Sequence, residues 1–158
     1  MPIKIAAGDY RALAALRYRI RLFLCETDAA ARRAGIEPQQ YLLLLALRGL
    51  PEGMEATVQT LAERLMLKHN STVELIDRLE KRGYVRRSRS RDDQRAVLVS
   101  VLPRGEKMLE RVVRQRITEL RAGGIELVKA IDALLERNSR RKNKSAQWNQ
   151  IKRRKKQS

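Results

Sequence analysis

The chain has 158 residues, room for about one domain, and sets 35 Lys and Arg against 18 Asp and Glu, a formal net charge of +17. With 43% hydrophobic residues, eight Gly and four Pro it is neither globally disordered nor collagen-like, and its positive excess points to a polyanionic partner, nucleic acid or an anionic surface. The longest apolar run, Tyr41 to Leu47, is far short of the roughly 20 residues a membrane-spanning helix needs.

From Asp9 to Ala34, Leu13, Leu16, Ile20, Phe23 and Leu24 recur at helical spacing among six arginines, which predicts a long amphipathic helix stopped at Gly35. Pro38 opens a second helix through Tyr41, Leu42, Leu45 and Leu47 to Gly49, dense enough in apolar residues to be buried. After Pro51 and Gly53, Thr57 is a candidate cap for a short helix carrying Leu61, Ala62 and Leu65 and ending near Leu67. A second short helix, His69 to Arg82, has Val73, Ile76 and Leu79 on one stripe and Gly83 at its end.

Beyond Gly83 the period changes. Tyr84-Val85 and Val97 to Val101 are β-rich runs on either side of the polar stretch Arg86 to Arg95, a two-stranded hairpin. Pro103 then starts a long helix bearing Met108, Leu109, Val112, Val113, Ile117 and Leu120. Gly123-Gly124 breaks or bends it, and apolar spacing resumes from Ile125 to about Arg137. Residues 1–136 carry +7 and residues 137–158 the other +10; this last stretch has no acid and only Trp148 and Ile151 as large apolar residues, too few to offset the entropy of ordering.

The chain is therefore expected to be mainly α with a small β-hairpin wing, a winged helix-turn-helix flanked by further helices. In such a unit the second short helix enters the major groove and the wing reaches the backbone or minor groove. Asn70, Glu74, Asp77, Arg78 and Lys81 fall opposite the apolar stripe, with Ser71 and Thr72 in the first turn. Lys68 and His69 stand at the amino end of that helix, suited to a phosphate. Arg86, Arg87, Arg89 and Arg91 put four guanidinium groups into six residues, which repel one another unless an anion compensates them.

The run Thr60-Leu61-Ala62-Glu63-Arg64-Leu65, the segment His69 to Val85 and the stretch Asp93-Gln94-Arg95-Ala96-Val97-Leu98-Val99 resemble the MarR family of bacterial transcriptional regulators over about residues 9 to 136. The resemblance implies a homodimeric repressor in which Asp93 positions Arg95 and a wing arginine enters the minor groove. It implies an N-terminal dimerisation helix (1–35), a DNA-binding lobe (36–102), C-terminal dimerisation helices (103–137) and a basic tail (138–158). The candidate DNA contacts are Thr60, Lys68, His69, Asn70, Ser71, Thr72, Arg78, Arg87, Arg89, Arg91, Asp93 and Arg95. Two departures from the family pattern stand out: Leu102-Pro103 lacks the threonine cap that often precedes this proline, and Asn70 replaces a histidine, an exchange that brings an amide able to pair with adenine.

The family also implies a pocket for a small-molecule effector such as an aromatic acid, with Tyr18 and Tyr41 in its lining, Arg17 or Arg21 as carboxylate partner and Cys25 nearby. Cys25, with Glu26 beside it, is expected to be a buried small apolar residue; peroxide sensing through it is one alternative to the repressor, and a sequence-tolerant architectural DNA-binding protein is another. One histidine and one cysteine make no metal set, and no nucleophile pattern or phosphate loop suggests an enzyme, so neither metal nor cofactor is expected. The amino terminus has no apolar secretion core and the tail has little area for anchoring, so a cytoplasmic protein without a membrane partner is expected.

Overall fold

The computed structural model describes residues 5–90 and 96–136. Its elements are α1 (Ala7–Arg33), α2 (Pro38–Arg48), α3 (Val58–Leu65), α4 (His69–Lys81), β1 (Val85–Arg89), β2 (Val97–Val101) and α5 (Pro103–Gly123), with a further helical segment, α6, over 125–136. Two compact units result: Glu26–Thr118, and Met1–Cys25 with Glu119–Ser158. The winged helix-turn-helix expected from the residue pattern is present in the first. Among the described residues no helix is long and apolar enough to cross a membrane.

Local chemistry sets most element ends. At the end of α1, Gly35 takes φ +85, and the Ile36 N–H returns to the Ala31 carbonyl at 3.1 Å, the six-to-one closure that satisfies an orphan helix carbonyl and turns Ile36 into the core. Thr57 caps α3 by accepting the Thr60 N–H at 3.1 Å. Met66 ends α3 in the left-handed region at φ 53, its N–H on the Glu63 carbonyl and that of Leu67 on the Ala62 carbonyl. This tight reversal between α3 and α4 is made by a bulky residue whose side chain is 91% exposed.

The core of Glu26–Thr118 gathers Ile36, Leu43, Leu44, Leu61, Leu75, Ile76, Leu79, Val85 and Val112, each at most 2% exposed. Two readings of apolar pattern are corrected. In α2 the buried residues are Gln40, Tyr41, Leu43 and Leu44, while Leu42 and Leu45 face outward, because a run of four leucines in a helix cannot put all of them on one side. In α4 the stripe is Thr72, Leu75, Ile76 and Leu79, spaced i, i+3, i+4, i+7, and Val73 sits at its half-buried edge.

The hairpin is antiparallel, with Val85 opposite Val101 and Arg87 opposite Val99. β1 extends through Arg89, so Arg86, Arg87 and Arg89 belong to a strand and not to the connecting stretch expected from their polarity. The segment before α3 adds a third edge through a Thr57–Leu98 bridge and a Val99 N–H to Ala56 carbonyl bond of 2.9 Å. Below the hairpin, α5 starts hard against Tyr84: the Leu102 N–H donates to the Tyr84 carbonyl at 2.9 Å, and a Cβ at Gly105 would run into the same oxygen. Arg82 closes α4 from outside, donating to Gln40 Oε1 at 2.8 Å and to the Gly35 carbonyl at 2.9 Å with its guanidinium over the Tyr84 ring. The Tyr41 phenol, inside this unit, is raised above its ordinary pKa by burial against an opposing pull from the Arg116 charge.

A left-handed backbone costs a bulky residue about 1–2 kcal/mol, and glycine returns part of that as unfolded-state entropy. Met66→Gly, which gives up no packing at this exposed site, is therefore expected to stabilise the protein by about 0.5–1 kcal/mol in urea unfolding.

Candidate nucleic-acid interface

Helix α4 is the element on which a nucleic-acid contact would depend. With Thr72, Leu75, Ile76 and Leu79 turned inward, its opposite side presents Asn70, Glu74, Arg78 and Lys81 to solvent. Its first turn holds no acidic residue and its N-cap, Lys68, makes no side-chain cap. The unsatisfied N–H groups and the positive helix end are therefore open to an anion. Lys68, His69, Asn70 and Ser71 are all exposed there. The Arg78 guanidinium lies back on its own helix, with Nε 3.4 Å from the Glu74 carbonyl.

Thr72 departs from its expected role. Its side chain is fully buried and its hydroxyl donates to the Lys68 carbonyl at 3.1 Å, so it packs the core and presents nothing to a ligand. Thr60 is half-buried, with its hydroxyl 2.9 Å from that of Thr57 in the α3 cap.

The arginines of β1 divide. Arg86, whose Nε lies 3.3 Å from Ser100 Oγ, and Arg89 are exposed. Arg87 turns to α4, where Nη2 meets Asp77 Oδ1 at 2.6 Å and Nη1 meets Glu80 Oε2 at 2.6 Å. Nη2 also donates to the Val73 carbonyl at 3.2 Å, and the Arg87 backbone N–H donates to Glu80 Oε1 at 3.0 Å. Burial pushes the Arg87 pKa down, but the hydrogen bonds and charges of Asp77 and Glu80 outweigh it and the net displacement is upward. The expectation that this arginine needs an outside anion is corrected, since the chain supplies two carboxylates of its own. That triad escaped the residue pattern; the signal was the i, i+3 spacing of Asp77 and Glu80 on the helix preceding an arginine-rich strand. Arg91, Asp93, Arg95 and the basic tail lie outside the described residues.

The candidate effector residues separate. Arg17, Tyr18, Arg21 and Cys25 line one concave, mainly apolar surface of about 700 Å³ with Tyr10, Leu13, Ala14 and Leu22, every one of them on α1. Tyr41 is not among them: it is 4% exposed in the core of Glu26–Thr118. Cys25 is exposed, contrary to the burial expected for it, because the apolar stripe of α1 around it is itself largely uncovered, with Leu13, Tyr18 and Leu24 more than half exposed.

Residues 34–96 match the model of the MarR family. The chain is 33% identical over 86 residues to the uncharacterized HTH-type transcriptional regulator YsmB of Bacillus subtilis, an alignment covering 54% of this chain and 57% of the relative. The chain spans about half the length of the curated relatives it matches. Among solved structures it is similar to AbsC, a MarR family transcriptional regulator from Streptomyces coelicolor, at 18% identity and a TM-score of 0.68 over 90% of this chain and 99% of that one. It is similar also to a mutant of S. aureus MepR bound to an oligodeoxyribonucleotide, at 17% identity and a TM-score of 0.57 over 90% and 99%.

Thr72→Ala leaves a void beneath α4 and is expected to cost about 1–2 kcal/mol of stability, read as a lower denaturation midpoint at unchanged slope.

Proposed function

We propose that this winged helix-turn-helix chain, whose residues 34–96 match the MarR family model, is a sequence-specific DNA-binding transcriptional regulator of that family, a cytoplasmic homodimeric repressor of a pseudo-palindromic operator. The observation that carries this reading is the amino end of α4, where Lys68, His69, Asn70 and Ser71 are exposed on a helix terminus free of acidic residues, with Arg86 and Arg89 exposed on the neighbouring strand. Lys68 and His69 are suited to phosphate, Asn70 and Ser71 to base edges, and Arg78 to either. The MepR structure in complex with an oligodeoxyribonucleotide supports DNA as the ligand of this fold. Arg91, Asp93 and Arg95 complete the wing in the proposal on the strength of their sequence pattern.

A second copy accounts for the apolar surface of the other unit. Leu13, Tyr18 and Leu24 of α1 and Ile125, Val128 and Leu135 of α6 are between 49% and 62% exposed, more apolar area than a soluble monomer usually leaves to water. Two lobes then have to engage half-sites one helical turn apart, about 34–36 Å. An effector that favours another lobe spacing releases the operator by shifting the population between two states. The α1 surface with Arg17, Tyr18, Arg21 and Cys25 is the proposed seat of that effector, an aromatic acid by its apolar lining and paired guanidinium groups. The structure of CouR bound to p-coumaroyl-CoA is in keeping with an aromatic acyl ligand.

The test is a footprint on the DNA upstream of the protein's own gene at about 150 mM salt with excess random competitor. A protected site with two half-sites about 10 base pairs apart is the expected result; equal competition by random DNA would replace the repressor with a sequence-tolerant architectural protein. On the protected duplex Arg95→Ala is expected to weaken binding by about 1–3 kcal/mol while Glu119→Ala leaves it unchanged. Deleting residues 140–158 is expected to flatten the salt dependence, by about 0.9 in the slope of log K against log salt for each phosphate that the tail no longer neutralises.

A further inference from the structure

We propose that Arg87 is a positioning residue and not a DNA contact: it latches the hairpin to α4 through Asp77 and Glu80, and thereby fixes where Arg86 and Arg89 meet the duplex. The inference rests on the DNA-binding reading above and assigns a different task to one of its expected contacts.

Arg87 reaches three residues spread over two turns of α4. Nη2 holds Asp77 at 2.6 Å and the Val73 carbonyl at 3.2 Å, Nη1 holds Glu80 at 2.6 Å, and its own backbone N–H is held by the second Glu80 oxygen at 3.0 Å. This last bond ties the strand itself to the helix, whereas the side-chain bonds tie only a flexible arm. The Tyr84 N–H to Leu79 carbonyl bond at 3.0 Å, which closes the end of α4 just before β1 begins, lies at the base of the hairpin. Without Arg87 the outer part of β1 loses its tie to α4, and the hairpin is held by its base and, through β2, by the Ala56 and Thr57 contacts on its other edge.

Charge gives the same assignment. Asp77 and Glu80 stand on the helix proposed to face phosphates, where two bare carboxylates would repel the ligand. Arg87 sits between them with only a quarter of its side chain exposed. Turning it to a phosphate would surrender two charge-assisted contacts and leave both carboxylates facing that same phosphate. A planar fork that donates to two acids and a carbonyl at once is a task for arginine, and a lysine ammonium on one flexible stem does not reproduce it.

The experiment compares full-length wild type with Arg87→Lys, Arg87→Met, Asp77→Asn/Glu80→Met and the combination of the last two, on the duplex of the protein's own upstream region across a salt series. As a latch, Arg87→Lys loses about tenfold in affinity despite keeping its charge, and Asp77→Asn/Glu80→Met also loses about tenfold although it removes two negative charges. The combined variant is then no worse than either parent, and the salt slope with Arg87→Met stays at the wild-type value. As a phosphate contact, Arg87→Lys would bind within about twofold of wild type, removing the carboxylates would tighten binding, and Arg87→Met would lower the slope by about 0.9; this set of outcomes overturns the proposal. Hydrogen exchange at the Arg87 amide, measured without DNA, reads the latch separately. It is expected to quicken about tenfold in Asp77→Asn/Glu80→Met while the Leu79-bonded Tyr84 amide is unchanged, and unaltered exchange at Arg87 would also overturn the latch. If the wild type binds no DNA, the DNA-binding reading fails by itself and the amide still decides whether the hairpin is tied down. Should Arg87→Met fail to fold, Arg87→Lys and the amide carry the same decision.

Discussion

Helix α4 has to serve two masters with thirteen residues, and the rest of the molecule is arranged around that constraint. Its inward stripe, Thr72, Leu75, Ile76 and Leu79, closes the core under α2 and α3. Its outward side must stay polar and positive if it is to meet an anion. The two demands are compatible only because the helix is held in one rotational setting: by the packed stripe along its length, by the reversal at Met66 before it and by Arg82 on Gln40 and Gly35 at its far end. A rotation by one residue, about 100° in an α-helix, would bury a polar side chain and expose an apolar one.

Net charge alone describes this protein poorly. A value of +17 suggests an unbroken cationic surface, yet the structure spends several cations internally. Arg87 is committed to Asp77 and Glu80, Arg82 to the turn between α1 and α2, and Arg48 to Glu106 at 3.1 Å. In the other unit Arg19 pairs with Glu126 at 3.5 Å, and Lys129, at 3.0 Å, does most to hold that exposed carboxyl below its ordinary pKa. Among the described residues around α4 and the hairpin, the exposed cations include Lys68 at the helix terminus, Arg78 and Lys81 on its outward side, and Arg86 and Arg89 on the strand.

How much of this was legible in the residues follows from the range of each interaction. The ends of α1 and α3 were readable because Gly35 and Thr57 act within a few residues of themselves. The phase of α4 was nearly so: Thr72 stands three, four and seven residues before Leu75, Ile76 and Leu79, and its burial follows from that spacing, though its hydroxyl suggested a surface role. The spacing of Asp77 and Glu80 offered acceptors for the strand that follows but did not single out Arg87, because its distance from Asp77 depends on how the chain turns at Gly83 and on which face of β1 each side chain takes. Tyr41 and Cys25 exchanged environments with expectation for a related reason. Aromatic character and small size are intrinsic, but burial depends on whether another element covers the helix face, and α2 is covered where α1 is not.

Glycine occurs here for two unrelated physical reasons, and they separate positions that look alike in a sequence. At Gly35 the requirement is a backbone angle, and nothing would touch an added Cβ; asparagine, which tolerates the left-handed region, is a workable replacement there. At Gly105 the obstacle is matter: the Tyr84 carbonyl and a Val101 methyl already fill the place of a side chain. In a library of all single substitutions the first position would retain a short roster of polar survivors and the second would be swept clean. Because Tyr84 and Val101 are the two feet of the hairpin, selection at residue 105 would act on the seating of the whole wing, from a position that bears no functional group at all.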